Sequence, residues 1–290
     1  DSLMFLVTGA TGKTGGQTVK HLLAKGAPVR AIVRNEEKAA PLKEQGVELV
    51  VGDIGDTDAV AKALDGVDGV LLTLPNGPNQ LDWELGILKQ AEAAGVKHLV
   101  YMSSTESNAD NPRRIPQVHW KVVEAIQASS LNWTIMRPNF FMQGIFPFAG
   151  QVKANDAFSF PAGDGTASMC DVRDVGEVAA IILTGGETHY GKTYDLTGPD
   201  IVSFHDVASL LSKALGRDIT YKPMPLQAFH DYLAKVLKSD WHVEGVVELM
   251  QEMSEEGGLD FTTDTMGELL GRPPVSLAQF VEEHKAMYGA

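Results

Sequence analysis

Three glycines and an arginine carry most of the chemistry this chain's residue types and spacing can support. Gly9, Gly12 and Gly15 stand three apart in V-T-G-A-T-G-K-T-G, directly after the apolar run Leu3–Val7. The first glycine permits a sharp turn, the second lets backbone approach a phosphate with no Cβ between, and the third lets the next helix pack against the strand. Backbone N–H groups at the start of that helix face a pyrophosphate, which makes Thr11, Lys13 and Thr14 candidate partners of the same group. A helical pattern over Gly16–Lys25 follows, and a second apolar run, Pro28–Val33, closes a unit of about 30 residues, the context a dinucleotide fingerprint needs. The competing reading is a nucleoside-triphosphate loop, because Gly12-Lys13-Thr14 spells G-K-T. That loop requires a glycine at position 7, where the chain has Val7, so it is excluded.

The end of the second strand refines the cofactor. A site for NAD(H) places an acidic residue about 20 residues past the glycines, against the ribose hydroxyls. This chain has Arg34 there, in A-I-V-R-N. A guanidinium forks onto a 2′-phosphate that a carboxylate would repel, so NADP(H) is expected. An ordinary surface arginine is the plainer reading of Arg34, and Arg30 alternates toward the other side of the strand. Asp53, with Ile54 beside it, follows the third strand, where the adenine edge needs an acceptor; a turn role in G-D-I-G-D is equally open.

These residues need a scaffold. Short apolar runs (Leu3–Thr8, Val29–Val33, Val47–Val51, Gly69–Leu74, His98–Met102, Trp133–Met136) alternate with amphipathic stretches such as Gln80–Ala94 and Gln117–Ala128. Such alternation predicts an α/β protein with a doubly wound parallel sheet and helices on both faces. Ligands bind such sheets beyond the carboxyl ends of the strands. The site is therefore expected among Thr8–Gly15, Arg34, Asp53, Thr73–Asn76, Ser103–Glu106 and Arg137–Phe141, with Leu74, Pro75 and Asn76 passing beside the cofactor. A domain over 1–150 binds the dinucleotide; 151–290 forms a small α+β substrate lobe, partly interleaved with it. Asp171–Leu183 reads as a helix returning to the first domain, with Asp171 and Asp174 capping it, and Thr193–Leu196 as a further strand. Leu226–Leu249 reads as one helical stretch, Met250–Gly258 as an acidic solvated run, and the tail as a turn and a terminal helix.

The 290 residues carry a formal net charge of −14 and one cysteine, Cys170. An acidic chain without a basic stripe argues against nucleic acid as a partner. One cysteine permits no internal disulfide, and Cys170 reads as a small buried hydrophobe. No run approaches the length of a membrane span. The N-terminal apolar run is too short for a signal peptide, and Asp1-Ser2 reads as a cloning remnant. A soluble, cytoplasmic monomer or homodimer without membrane attachment is expected. Histidines, carboxylates and the cysteine show no ligand spacing, so no metal site is predicted. The absence of G-x-S-x-G removes the usual hydrolase reading.

Taken together, V-T-G-A-T-G-K-T-G, A-I-V-R-N-E-E-K-A, G-V-K-H-L-V-Y-M-S-S and W-T-I-M-R-P-N-F-F resemble the NmrA-like family of atypical short-chain dehydrogenases over residues 3 to 225. The resemblance implies a Rossmann-type fold and an NAD(P)H-dependent enzyme. Family members include quinone oxidoreductases, dye reductases, phenylpropanoid reductases and catalytically silent redox sensors. Most short-chain dehydrogenases protonate a carbonyl with Tyr-x-x-x-Lys, yet none of the six tyrosines has a lysine four residues on. By the resemblance, His119 falls in the lysine slot and Ile115 in the tyrosine slot. Members with histidine there often carry glutamate four residues later, where this chain has Val123, with Glu124 next to it. His119 is thus the catalytic candidate, as ribose partner or proton donor; simple packing at a helix start is the alternative.

Ser103 and Ser104 end the fifth strand, where the family often places a substrate-contacting serine; Ser103 is grouped with the cofactor residues, and capping is open to both. Asn139, Phe140 and Phe141 resemble the family's pocket floor and are the candidate substrate residues, with core packing as the alternative. The expected function is hydride transfer from NADPH to a small apolar or aromatic acceptor: a quinone, a conjugated enone or imine, or a dye. A silent NADP(H)-binding sensor and a non-redox isomerase or cyclase are the alternatives.

Overall fold

The computed structural model describes residues 3–290; Asp1-Ser2, read above as a cloning remnant, lies outside them. Seven strands form one parallel sheet: β1 (Phe5–Val7), β2 (Val29–Val33), β3 (Glu48–Val51), β4 (Gly69–Leu72), β5 (His98–Met102), β6 (Trp133–Pro138) and, after two strands elsewhere, β9 (Lys192–Leu196). Their order is β3-β2-β1-β4-β5-β6-β9. It reverses direction between β1 and β4, which opens a crevice at their carboxyl ends. This is the predicted doubly wound architecture, with the further strand at residues 192–196 included.

Alternating side chains explain why both faces are covered. Phe5, Val7, Leu71 and Val100 enter one core, and Leu6, Val70, Leu72 and Leu99 enter the other. Successive residues of a strand point to opposite faces, so a run apolar at every position demands helices on both sides. The first core is closed by α1 (Lys13–Ala24), α2 (Ala40–Glu44) and α7 (Val172–Gly185). The second is closed by α3 (Thr57–Leu64), α4 (Gln80–Ala94) and α5 (Arg114–Ala128).

A third core fills the C-terminal lobe. There β7 (Ala157–Phe160) pairs in parallel with β11 (Thr220–Pro223), and β8 (Thr166–Ala167) pairs antiparallel with β10 (Val202–Ser203). Around them lie a 3-10 turn (Met142–Phe148), α6 (Ala149–Asn155), α8 (Phe204–Leu215), α9 (Leu226–Val236), α10 (Asp240–Glu255) and α12 (Leu277–His284), while α11 (Thr265–Leu270) packs against α7. Phe148 and Phe158 stack at 4.5 Å between ring centroids at the centre of this lobe.

Three expectations change. The stretch 226–249 is two helices, broken at Leu237, which is extended, and restarted by Ser239, whose hydroxyl accepts from the His242 N–H. The acidic run after it is not solvated throughout: α10 continues to Glu255, and Met250 and Met253 are buried in the third core. Asp171 caps α7 as expected, accepting from the Arg173 N–H at 2.8 Å. Asp174 does another job. Almost wholly buried, it accepts from Arg272 Nη2 and from the Val275 N–H, each at 2.8 Å, and so pins the C-terminal tail to α7.

Candidate functional site

At the switch point, the loops after β1 and β4 are tied together by one hydroxyl. Thr8 Oγ1 donates toward the carbonyls of Leu71 and Thr73, at 3.0 and 3.1 Å, and accepts from the Thr73 N–H at 2.8 Å. Gly9 then turns with φ +61°, a region L side chains rarely adopt, and the Gly12 N–H closes the turn on the Gly9 carbonyl at 2.8 Å. Gly12 is the N-cap of α1. No side chain caps that helix, and its first turn holds no acidic residue. The N–H groups of an uncapped helix start, with the positive end of its dipole, are what a pyrophosphate needs. The cradle is tight: a Cβ on Gly15 would lie 2.1 Å from the Gly9 carbonyl oxygen. These residues fit a dinucleotide phosphate.

The adenine side of the crevice lies toward β2 and β3. Arg34 follows β2 directly, is 72% exposed, and places Nη2 3.3 Å from Asp53 Oδ2. Asp53 also accepts from the Gly55 N–H at 2.8 Å, so it shapes its own turn as well. An exposed ion pair of this kind is worth under about 1 kcal/mol, so Arg34 is free to exchange Asp53 for a phosphate. Ile54 packs against the core beneath α3. Thr11 and Pro75 are exposed on the rims of their loops. Arg30 is not part of this site: it donates to the carbonyls of Ala63 and Asp65 at 2.9 and 2.6 Å, at the end of α3.

Toward β5 and β6 a cavity of about 500 Å³ opens between the sheet and the C-terminal lobe. Lys13, Thr14, Leu74, Asn76, Ser103 and His119 line its cofactor side. Asn139, Phe140 and Phe141 line its floor. Nine of the sequence-derived candidates thus surround one space. Gly9, Gly12 and Gly15 form the adjoining cradle, and Thr11, Arg34, Asp53, Ile54 and Pro75 lie along the same carboxyl edge outside the cavity.

The polar groups differ in how committed they are. The Asn139 amide is spent on backbone, donating to the Leu259 carbonyl at 3.1 Å and accepting from the Phe140 N–H at 2.8 Å. It therefore holds the segment around Leu259 against the sheet. Phe140 packs edge-on against Phe160 and Phe204. His119, on α5, is 9% exposed, and its Nδ1 lies 3.0 Å from Ser104 Oγ. Burial lowers its pKa to about 4, so the ring is neutral at physiological pH. Its Nε2 has no hydrogen-bond partner among the described residues, and the ring lines the cavity. Ile115, one turn earlier, supplies only hydrocarbon.

Sequence reasoning missed the roof and Glu252, and named Glu106 only as the end of the Ser103–Glu106 loop. Phe160, Phe229, Val246, Leu249, Met250 and Met253 come from the C-terminal lobe and make the cavity mostly apolar. Met250 and Met253, three apart, carried a helical signal that the neighbouring glutamates obscured. Glu106 and Glu252 also line the cavity. Burial raises the pKa of Glu106, and the nearby Glu252 raises it further. Burial likewise raises that of Glu252, which is held by Arg113 Nη1 at 2.5 Å and by Asn111 Nδ2 at 2.9 Å.

No helix among the described residues is long and apolar enough to cross a membrane. The chain is similar to the NAD(P)H azoreductase of Xenophilus azovorans, 31% identical over 290 residues, which covers 99% of this chain and 100% of that protein. It is similar to quinone oxidoreductase 2 of Escherichia coli, at 28% identity over 96% of this chain and 97% of that one. Among solved structures, the Citrobacter sp. triphenylmethane reductase complexed with NADP(H) superposes with a TM-score of 0.84 at 28% identity, covering 96% of this chain and 99% of the other. The NmrA-like family model matches residues 2–277. With the glycine cradle, the doubly wound sheet and this match over nearly its whole length, the chain belongs to the NmrA-like family.

Proposed function

We propose that the protein is an NADPH-dependent reductase whose acceptors are flat, electrophilic aromatics of the azo, quinone or conjugated-enone type. The observation that carries the reading is the cavity itself: about 500 Å³, floored by Phe140 and Phe141, roofed by the methionines of α10, and continuous with the loops that cradle a dinucleotide. Such a space suits a planar apolar molecule lying over a nicotinamide. Similarity to the azoreductase, the quinone oxidoreductase and the dye reductase supports the same class. The bound cofactor supplies hydride. The residues of this chain hold it, exclude water and provide a proton.

Acceptors of this class delocalise the charge left by hydride addition. A tyrosine acid is then dispensable, which agrees with Ile115 in the cavity wall and a neutral histidine as its polar neighbour. An open apolar cavity also favours the enzyme over a silent sensor, whose pocket needs no room for a second molecule. The test is loss of reduced-nicotinamide absorbance from NADPH and from NADH, against a panel of azo dyes, quinones and conjugated enones. Turnover with at least one class, faster with NADPH, is expected. Tight NADPH binding without turnover on any acceptor would transfer the reading to a sensor.

Cofactor choice has its own test. Arg34→Ala is expected to lower kcat/KM for NADPH by about 10- to 30-fold, the lower end for a charge-assisted hydrogen bond at an exposed site. The value for NADH should stay within about twofold, since that cofactor has no 2′-phosphate for Arg34 to bind. Equal losses with both cofactors would show that Arg34 does not read the phosphate.

A further inference from the structure

A second opening lies behind the cavity. It is a polar cleft of about 320 Å³, lined by Thr105, Asn108, Asp110, Asn111, Arg113 and Glu256, among others. Glu106 and Glu252 line both spaces. Glu106 therefore stands in the wall between an apolar chamber and a water-facing groove. From Glu106 a line of exchangeable protons leads inward. Ser104, two residues before it and lining the same cavity, is a side chain that favours its ionised form. Ser104 Oγ lies 3.0 Å from His119 Nδ1. The far side of the His119 ring, Nε2, is the end left to the cavity.

We propose that Glu106, Ser104 and His119 form a proton relay, in which Glu106 takes a proton from the cleft and His119 Nε2 delivers one to the reduced acceptor. The proposal rests on the reductase reading for its last step alone. In the loaded state the Glu106 carboxyl O–H donates to Ser104 Oγ, the Ser104 O–H donates to His119 Nδ1, and Nε2 carries hydrogen toward the cavity. Delivery breaks the Nε2–H bond as the acceptor gains a proton. Nδ1 takes the Ser104 proton, Ser104 takes the Glu106 proton, and Glu106 is left as a carboxylate. In that discharged state every hydrogen bond points the other way, and Nε2 is a bare lone pair. Three bonds to hydrogen within the relay break and two form, with the third forming on the acceptor. No residue changes oxidation state, and His119 never carries a net charge. Water in the cleft that Glu106 lines then returns a proton to it.

The surroundings of Glu106 favour its protonated form. Glu252, from α10, faces Glu106 and raises its affinity for a proton, while Arg137, from β6, lowers it. Each of these charges is itself partly engaged: Glu252 by Arg113, and Arg137 by Asp195 at 2.8 Å. Arg113 also holds Glu256 at 2.7 Å, at the mouth of the cleft. Against His119 stand the Ser104 hydroxyl and the Tyr101 ring, with centroids 6.1 Å apart. Tyr101 spends its own hydroxyl on Glu84 at 2.7 Å. No charged group approaches the imidazole closely enough to contribute to its shifted pKa, for which burial is the one cause. Glu106 and Ser104 act through His119 and are positioning residues in this scheme.

Nitrogen NMR of the full-length protein labelled in histidine, recorded across pH without any acceptor, reads the relay directly. The neutral His119 ring is expected to be the Nε2–H tautomer at low pH and to pass to the Nδ1–H tautomer as Glu106 ionises. Glu106→Gln should remove that pH dependence. Kinetically, Glu106→Gln and Ser104→Ala should each lower kcat by about 100-fold, the lower limit for positioned acid catalysis, with the NADPH dissociation constant within twofold. The decline of kcat with rising pH should vanish in Glu106→Gln. A tautomer that ignores pH in the unaltered protein would overturn the relay, as would an unchanged kcat profile in Glu106→Gln. If no acceptor is reduced but the tautomer still follows Glu106, the hydrogen-bonded relay stands and the reductase reading fails.

Discussion

Gly15→Ala is expected to raise the NADPH dissociation constant at least about 100-fold and to cost about 3 kcal/mol of folding stability. The new Cβ would lie 2.1 Å from the Gly9 carbonyl oxygen and 2.7 Å from its carbon. Both are backbone atoms, so no side chain can swing aside. The loop cannot retreat either, because a Cβ placed on Gly9 would meet the Thr73 carbonyl oxygen at 2.6 Å, so Gly9 already lies close against the β4 loop. Relief has to come from moving the start of α1, which breaks the Gly12 N–H bond to Gly9 and turns the free N–H groups away from the phosphate. Overpacking in rigid surroundings costs about 1–3 kcal/mol or more, and the cradle is rigid. Gly16→Ala is the control. Its Cβ meets only the Ala10 carbonyl oxygen, at an ordinary 3.5 Å. Alanine is the better helix former by about 1 kcal/mol, so this variant should bind NADPH and be no less stable. Titration of cofactor fluorescence and denaturant unfolding measure both effects. Wild-type affinity in Gly15→Ala would show that the cradle does not hold the cofactor.

The second large effect is a pH dependence that one buried acid imposes on stability. Glu84, on α4, is almost wholly buried, and burial raises its pKa from 4.5 to about 8 despite hydrogen bonds from Tyr101 and Gln80. The folded protein thus holds a proton on Glu84 that the unfolded chain releases near pH 4.5. That preference favours the fold fully below pH 4.5 and is lost progressively as pH rises toward 8. Gln80 Nε2 donates to Glu84 at 3.1 Å, and with its amide turned over Gln80 would offer a protonated Glu84 the buried, unpartnered Oε1 as acceptor. Glu84→Gln keeps the shape and an acceptor for Tyr101 but cannot ionise. Its stability relative to the unaltered protein should therefore be near zero at pH 4.5 and rise to on the order of 4 kcal/mol at pH 8.5. Denaturant unfolding of both proteins at four or five pH values reads this directly, because every other titrating group is common to the two. Curves that stay parallel across that range would mean that Glu84 titrates alike in the folded and unfolded chains.

Much of this molecule was legible from local pattern. A strand, a glycine triplet and a helix within about 30 residues specify a phosphate cradle by backbone sterics alone. The apolar runs specify a sheet covered on both faces, and the end of each strand names the loop that faces a ligand. That is why the cradle glycines, Arg34, Ser103 and the floor of the cavity lie along one edge; His119, within α5, came from the family resemblance and not from local pattern. Each of the others sits at the carboxyl end of a strand or at the start of the helix that follows, and short-range periodicity locates those ends.

What the tertiary structure decided depends on contacts between residues far apart in the chain. Met250–Glu255 looked like a solvated acidic run because its charges are visible locally. It is helical because Met250 and Met253 complete a core built from residues 142–288, while Glu252 is paired with Arg113 and accepts a hydrogen bond from Asn111. Asp174 looked like a helix cap; the tail a hundred residues later claimed it. Glu106 carried no motif at all. It becomes a half-buried carboxylate with a raised pKa only because α10 closes over the β5 loop and brings a second acid beside it. Local sequence sets which backbone turns and faces are possible. The ionisation of an acid, and the partner a polar group finds, are set by the dielectric and the neighbours that long-range packing assembles around it.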